Sequence, residues 1–347
     1  MRHLPISVTC VALAALAALC GASVAGAADA GDFYRGKTIH ILVGGAAGAA
    51  YDFVGRALAA HLGDHIPGNP GVVVDNMPGA ASLVMMNSLY GRAARDGTVM
   101  GMPLNGIVLE PRLKVLSRDG GNVGFDLTKM SWIGTPAQQP QVLWVWHDTP
   151  FQTAEDLKKN KLVVGATAPG GDNYTLPLLA NALIGTKIDI VSGYQGVNDI
   201  FLAAERGEVQ GNTANLSSLL GNSDWMAAKK ARILIQFGAE RLPDLKDVPT
   251  AVDLASDAAG REALRVYAMK FRTTYPIVLP PEVPPERVAI LRSAFDATMK
   301  DPKFVADAKK IGLDVSPLSG TDIGQIMHDI DAAPQAAIDK LHSIINP

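Results

Sequence analysis

Along this chain, short apolar runs alternate with stretches in which apolar residues recur every third or fourth position, the pattern of strands alternating with helices. The first pair is the clearest. Thr38-Ile39-His40-Ile41-Leu42-Val43 reads as a buried strand, and it enters a turn of small residues, Gly44 to Ala50. From Tyr51 to Leu62 the residues Phe53, Val54, Ala57, Leu58 and Leu62 recur at helical spacing. A helix start of this kind leaves backbone N–H groups without intrahelical partners at the positive end of the helix dipole. A small-residue turn there can admit a carboxylate or phosphate, although tight packing alone would select the same small residues.

The same unit recurs. Val72-Val73-Val74 ends in Asp75-Asn76, and the loop Met77-Pro78-Gly79-Ala80-Ala81-Ser82 opens a helix from Leu83 to Tyr90. Thr98 to Met102 is a third strand, and Asn105 follows it. Trp132-Ile133-Gly134 and Gln141 to Trp146 are further strands, and Thr153 is a plausible N-cap for a helix running to Lys159. A second series begins with strand Leu162 to Ala166, the loop Thr167 to Asn173 and a helix from Tyr174 to Ile184. It continues with strand Ile188 to Val191, the loop Gly193-Tyr194-Gln195-Gly196 and a helix from Val197 to Arg206. Strand Ile233 to Phe237 is expected to return the chain to the first series. The last hundred residues read as helices with proline stops: Glu286 to Met299, a helix begun by Pro302 and ended by Gly312, and a last helix capped by Thr321. Alternation of this kind predicts an α/β fold of two lobes, each with a mainly parallel sheet that binds ligand at the carboxyl ends of its strands.

A chain of 347 residues supports two domains. Its net charge of −3 offers no basic surface, which argues against nucleic acid as a partner. Arg2 and His3, the apolar run Val11 to Leu19 and the Ala25-Gly26-Ala27 pattern read as an export signal cut near Ala27, at residues 1–27. Cys10 and Cys20 are the only cysteines and both fall in that signal, so no disulfide is expected in the mature chain. Leu19 before Cys20 departs from a lipoprotein signal, and no lipid anchor is expected. The protein is expected to be periplasmic and monomeric.

Candidate chemistry is sparse. A dinucleotide fingerprint would need Gly at 44, 46 and 49, but the chain has Gly44, Ala46 and Ala49, and no Gly-Lys-Ser/Thr phosphate loop follows. Asp52 can cap the first helix or meet a ligand through water. Asn76 and Asn105, just after strands, can shape turns or hydrogen-bond a ligand. Asp172, Asn173 and Tyr174 open a helix, and Asp172 would repel a ligand carboxylate unless a cation or water intervenes. Trp132, Trp144, Trp146 and Trp225 can stack on a ligand but serve core packing better. His61 and His65, with Asp64 nearby, have a spacing that could hold a metal, yet at a helix end a solvated cluster is the simpler reading. No metal, cofactor or catalytic grouping is expected.

These motifs in this order resemble the extracytoplasmic solute-binding proteins of the tripartite tricarboxylate transporters, the Bug family. The carriers are the Gly44 to Asp52 turn, Asp75-Asn76-Met77-Pro78-Gly79-Ala80, Arg95-Asp96-Gly97-Thr98, Gly193-Tyr194-Gln195-Gly196, Asp247-Val248-Pro249-Thr250 and the Ala294 to Gly312 helix pair with Asp301-Pro302. The resemblance implies a type II periplasmic binding protein fold whose lobes close on a small organic acid, a di- or tricarboxylate or an aromatic acid, and deliver it to integral-membrane permease subunits. It divides the chain into lobe 1 at 28–138, lobe 2 at 139–237 and a return to lobe 1 at 238–347. Carried over by position, the ligand-binding residues are Ala47, Gly48, Ala49, Tyr51 and Asp52, then Asn76, Met77, Pro78, Gly79 and Ala80. From the second lobe come Pro169, Gly170, Asp172, Asn173, Tyr174, Tyr194, Gln195, Gly196, Asn212 and Asn215.

The chain departs from the family where Ala47-Gly48-Ala49-Ala50 replaces a proline with consecutive glycines, where Gln195 replaces lysine and where Asn212 replaces aspartate. Because alanine resists positive φ by roughly 1 kcal/mol, the first loop is expected to take a path that avoids such angles. Loss of the lysine removes one cation that could meet a carboxylate. A receptor that presents its ligand to a membrane sensor, or a nucleotide-dependent enzyme using Gly44 to Gly48 and Asp75, are the alternative readings.

Overall fold

The computed structural model describes residues 33–115 and 122–346; the export signal expected at 1–27 lies outside them. The described chain forms two sheets. Strands β1 (Thr38–Val43), β2 (Gly71–Asn76), β3 (Val99–Met102), β4 (Ser131–Thr135), β10 (Ile277–Leu279) and β11 (Leu318–Ser319) build the first, in the order β11-β4-β10-β3-β1-β2. Strands β5 (Gln141–Trp146), β6 (Leu162–Ala166), β7 (Ile188–Ser192), β8 (Gly211–Asn215) and β9 (Ala231–Gln236) build the second, in the order β7-β6-β8-β5-β9.

The two sheets repeat one plan. In each, three strands pair in parallel, β2-β1-β3 and β7-β6-β8, and a strand from the crossing chain then pairs antiparallel to the third. That strand is β10 in the first sheet and β5 in the second. The sheets are thus mixed rather than mainly parallel. It also corrects the expected return strand. Ile233 to Gln236 lies in β9, antiparallel to β5 in the second sheet, and the chain re-enters the first sheet at β10.

The long helices, in chain order, are α1 (Ala50–Leu62), α2 (Leu83–Arg92), α3 (Asp172–Ile184), α4 (Val197–Glu205), α5 (Ala258–Met269), α6 (Pro285–Thr298), α7 (Pro302–Lys310), α8 (Gly320–Asp331) and α9 (Gln335–Ile345). Apolar side chains fill three layers. Ile39, Ile41 and Val43 of β1 meet Val54, Leu58 and Leu62 of α1 and Leu291 and Phe295 of α6 on the outer face of the first sheet. Trp144 meets Phe201 of α4 on the outer face of the second. Between the sheets a shared layer joins Met85 and Leu89 of α2, Leu143 of β5, Leu176 and Leu179 of α3, and Ile338 and Leu341 of α9.

Local expectations fail in three places. Phe53 is 51% exposed because its position on α1 faces away from the sheet, while Val54, Leu58 and Leu62 carry the buried stripe. Thr153 donates its hydroxyl to Asp156 rather than capping, and only Asp156–Lys159 is helical there. Ser319, not Thr321, caps α8 by accepting from the Asp322 N–H, and a further helix, α9, follows it.

Candidate functional site

In the first sheet the loops after β1, β2 and β3 are tied into one surface. Ser82 is the knot. Its hydroxyl donates to the Gly44 carbonyl at 3.2 Å and accepts the Leu104 N–H at 2.9 Å. Gly44 is required here, since a Cβ on it would lie 2.1 Å from that hydroxyl. The Asn76 amide donates to the Gly45 carbonyl at 3.2 Å, and the Asn105 N–H donates to the Tyr51 hydroxyl at 3.0 Å.

Asp52 closes the first loop from inside the helix. The position preceding α1 is Ala49, which has no side chain to cap with, and Asp52 reaches back to accept the Gly48 N–H at 2.8 Å. Arg56, one turn on, pairs with the same carboxylate at 2.9 Å. The Arg56 hydrogen bond holds the Asp52 carboxyl below the usual carboxylate range against the opposing effect of burial, with help from Gly48 and Asn76. Asp52 is therefore the anchor of the loop, although it is the third helical residue rather than the N-cap.

The alanine-rich loop does avoid strain. Within it only Gly48 takes a positive φ, +77°, and the backbone of Ala46 to Ala50 is exposed. The second loop does not. Ala80, Ala81 and Ser82 all take positive φ, 41°, 46° and 83°, directly after Gly79 at 143°. Met77 and Gly79 are half-buried there, and Pro78 and Ala80 are exposed.

In the second sheet the loop after β6 is fixed by Asn173, whose side-chain oxygen accepts from the Thr167 N–H and hydroxyl. The Gly193 N–H donates to the Thr167 carbonyl and the Tyr194 N–H to the Ala166 carbonyl, which holds the start of the Tyr194-Gln195-Gly196 loop against the end of β6. Asn215, at the end of β8, accepts from the Gln141 amide. Tyr174 is half-buried, and Gln195 is exposed. Asn212 lies apart from them. It is fully buried on the outer face between Trp144 of β5 and the bare Gly165 of β6, and neither side-chain atom finds a protein partner.

Asp172 has a partner the sequence reading missed. Lys270, just past α5, pairs with it at 2.5 Å, donates to the Tyr267 hydroxyl at 3.0 Å and lies over the Tyr267 ring. Burial alone would lower the Lys270 ammonium, but Asp172 and Tyr267 outweigh it and raise the pKa. The Tyr267 hydroxyl, which also donates to Asp172 at 3.1 Å, is pushed up to about 12, chiefly by burial. No local pattern announces Lys270. Only the fold brings it to the start of α3.

The two surfaces are linked by Lys270–Arg272, which packs against residues 105–109 of the first and pairs through Lys270 with Asp172 of the second. Burial, and then the neighbouring Tyr275, raises the Tyr51 hydroxyl, and the charge of Asp172 from the second sheet adds to the rise. The Tyr51 and Tyr275 rings lie 4.5 Å apart, and Tyr275 accepts from Gln139 in the crossing segment. The other singled-out residues lie elsewhere. Trp132, Trp144 and Trp146 are buried, and Trp225 packs against Trp144, Trp146 and Phe201. His61 and His65 form neither a metal site nor a solvated cluster; they pair with Asp307 and Asp301 at 3.0 and 3.1 Å. Asp75 pairs with His40 on the exposed face of the first sheet.

The family model described as tripartite tricarboxylate transporter family receptor matches residues 54–342. The chain belongs to this receptor family. Solved structures agree on the fold of the receptor. A TctC solute-binding protein from Polaromonas, without ligand, superposes with a TM-score of 0.68 at 17% identity, covering 90% of this chain and 99% of that one. A Rhodopseudomonas palustris protein with adipate gives 0.58 at 20% identity, covering 89% and 98%. MatC of the same organism, with bound malate, gives 0.54 at 17%, covering 90% and 99%. No curated protein sequence matches. The α/β receptor fold, of the type II periplasmic binding kind, is thereby established.

Proposed function

We propose that this receptor is exported to the periplasm, captures a small organic carboxylate by closure of its two lobes, and delivers it as a monomer to integral-membrane permease subunits. One observation carries the reading. The loops after β1 and β6 leave Ala46 to Ala50 and Ala168 to Gly170 exposed at the starts of the long helices α1 and α3. Free N–H groups at the start of a long helix favour an anion. The adipate and malate bound to structural relatives support the carboxylate class. The cleft positions and desolvates its ligand and performs no chemistry: its ionisable groups are engaged in ion pairs rather than poised near a reacting atom. Closure would expel water and strengthen each hydrogen bond to the ligand.

The test is thermal unfolding of the mature chain, from Ala28 onward, against di- and tricarboxylates, aromatic acids, amides and nucleotides. A ligand at about a hundred times its Kd adds roughly 2.7 kcal/mol, which raises the midpoint by several degrees. A shift confined to carboxylates is expected. A shift with nucleotides alone would overturn the reading.

A further inference from the structure

Resting on that carboxylate reading, we infer that the ligand carries a single carboxylate and that its far end bears hydrogen-bond donors rather than a second negative charge. The six segments at the carboxyl ends of the parallel strands, residues 44–52, 75–82, 103–109, 167–174, 193–197 and 215–221, contain no Lys, Arg or His. Their charged residues are Asp52, Asp75 and Asp172 alone. Each acid already holds a basic partner from outside its loop: Arg56, His40 and Lys270. Among the described residues these loops thus offer an incoming anion no uncommitted cation.

The geometry of the Asp172–Lys270 pair gives the sign of the far pole. The Lys270 side chain is 9% exposed and the Asp172 side chain 25%, so the carboxylate is the half turned outward. Unlike Asp52 at the start of α1, whose side chain is 4% exposed, Asp172 therefore presents an outward acceptor at the start of α3. A second ligand carboxylate would have to be desolvated beside that acid with no cation from these loops to meet it, which is costly in a closed site. An amide N–H or a hydroxyl would instead find an acceptor. Tyr174, Tyr194 and Gln195 add neutral hydrogen-bonding and ring surface to the same pole.

Titration calorimetry with two skeletons tests the inference: adipate, its half-amide and its diamide, and terephthalate, 4-carbamoylbenzoate and terephthalamide. The half-amide of at least one skeleton is expected to bind ten-fold or more tighter than the diacid. Gln195→Lys, at an exposed loop position, and Asp172→Asn are each expected to narrow that ratio about ten-fold, with folding of both variants checked by circular dichroism. A diacid that binds as tightly as its half-amide overturns the single-carboxylate inference and leaves the carboxylate reading standing. A diamide that equals the half-amide, or silence from all six compounds, removes the carboxylate reading and the inference with it.

Discussion

Asp52 was legible from sequence as a residue that steadies the first loop, because an acid beside a small-residue turn has few other uses. Its third-position geometry was not, since that depends on Ala49 having nothing to cap with. A carboxyl held low in the fold stabilises above its unfolded pKa, about 4, and the contribution is lost as pH falls through the depressed folded value. Asp52→Asn is therefore expected to cost about 1 kcal/mol at pH 7, and much less near pH 3, in urea unfolding measured at both values. An equal cost at both would mean that the charge is irrelevant to the loop. The argument that alanine avoids positive φ held for the first loop and failed at Ala80 and Ala81, where the knot at Ser82 overrides local preference. Asn212 makes the opposite point. Its amide, buried without a protein partner, is a cost no sequence rule reveals. Asn212→Val is expected to raise stability by about 1–2 kcal/mol, seen as a higher melting midpoint. A comparable fall would mean that an ordered water completes the site.

Among elements, eight of the eleven strands in the described residues and most long helices could be read from periodicity because each buries one stripe or face, whereas β8 is too polar and β10 and β11 too short to show one. The joints between elements could not. Lys270 stands far along the chain from Asp172 and lies in a stretch that reads as an ordinary helix end, yet it locks the end of α5 to the start of α3. His61 and His65 likewise looked like a local cluster, but they fasten the end of α1 and the turn after it to Asp307 of α7 and to Asp301, the N-cap of α7. Long-range ion pairs carry no periodic signal. Removing one partner of a buried pair leaves the other uncompensated, at a cost of up to about 3–5 kcal/mol, and the partial exposure of Asp172 places Lys270→Met near the lower bound. The double variant Lys270→Met with Asp172→Asn is expected to recover at least half of that loss in a double-mutant cycle. Strict additivity of the two changes would mean that the pair is not coupled.

The molecule repeats one sheet plan twice, and the sequence disclosed two α/β series but not the exchange of antiparallel strands between them. That exchange hides because β5 and β10 are short apolar runs whose direction no pattern encodes. The crossing segments lie side by side, joined by the Ala137–Thr274 bridge and the Gln139 N–H donating to the Phe271 carbonyl. Stability, however, is held in common. The layer between the sheets runs from Met85 of α2 through Leu176 of α3 to Leu341 of α9, so neither sheet can lose its inner cover without exposing the other's. Calorimetric unfolding of the mature protein is therefore expected to be one transition with matching calorimetric and van't Hoff enthalpies. Deleting 335–347 strips Ile338 and Leu341 from that layer, each worth about 1.5–3 kcal/mol of burial, against a total stability on the order of 5–15 kcal/mol. The truncated chain is expected to melt more than 10 °C lower. Two resolved transitions in the intact protein would mean that the shared layer does not couple the sheets, and closure would then be a motion of independent bodies rather than a bend within one.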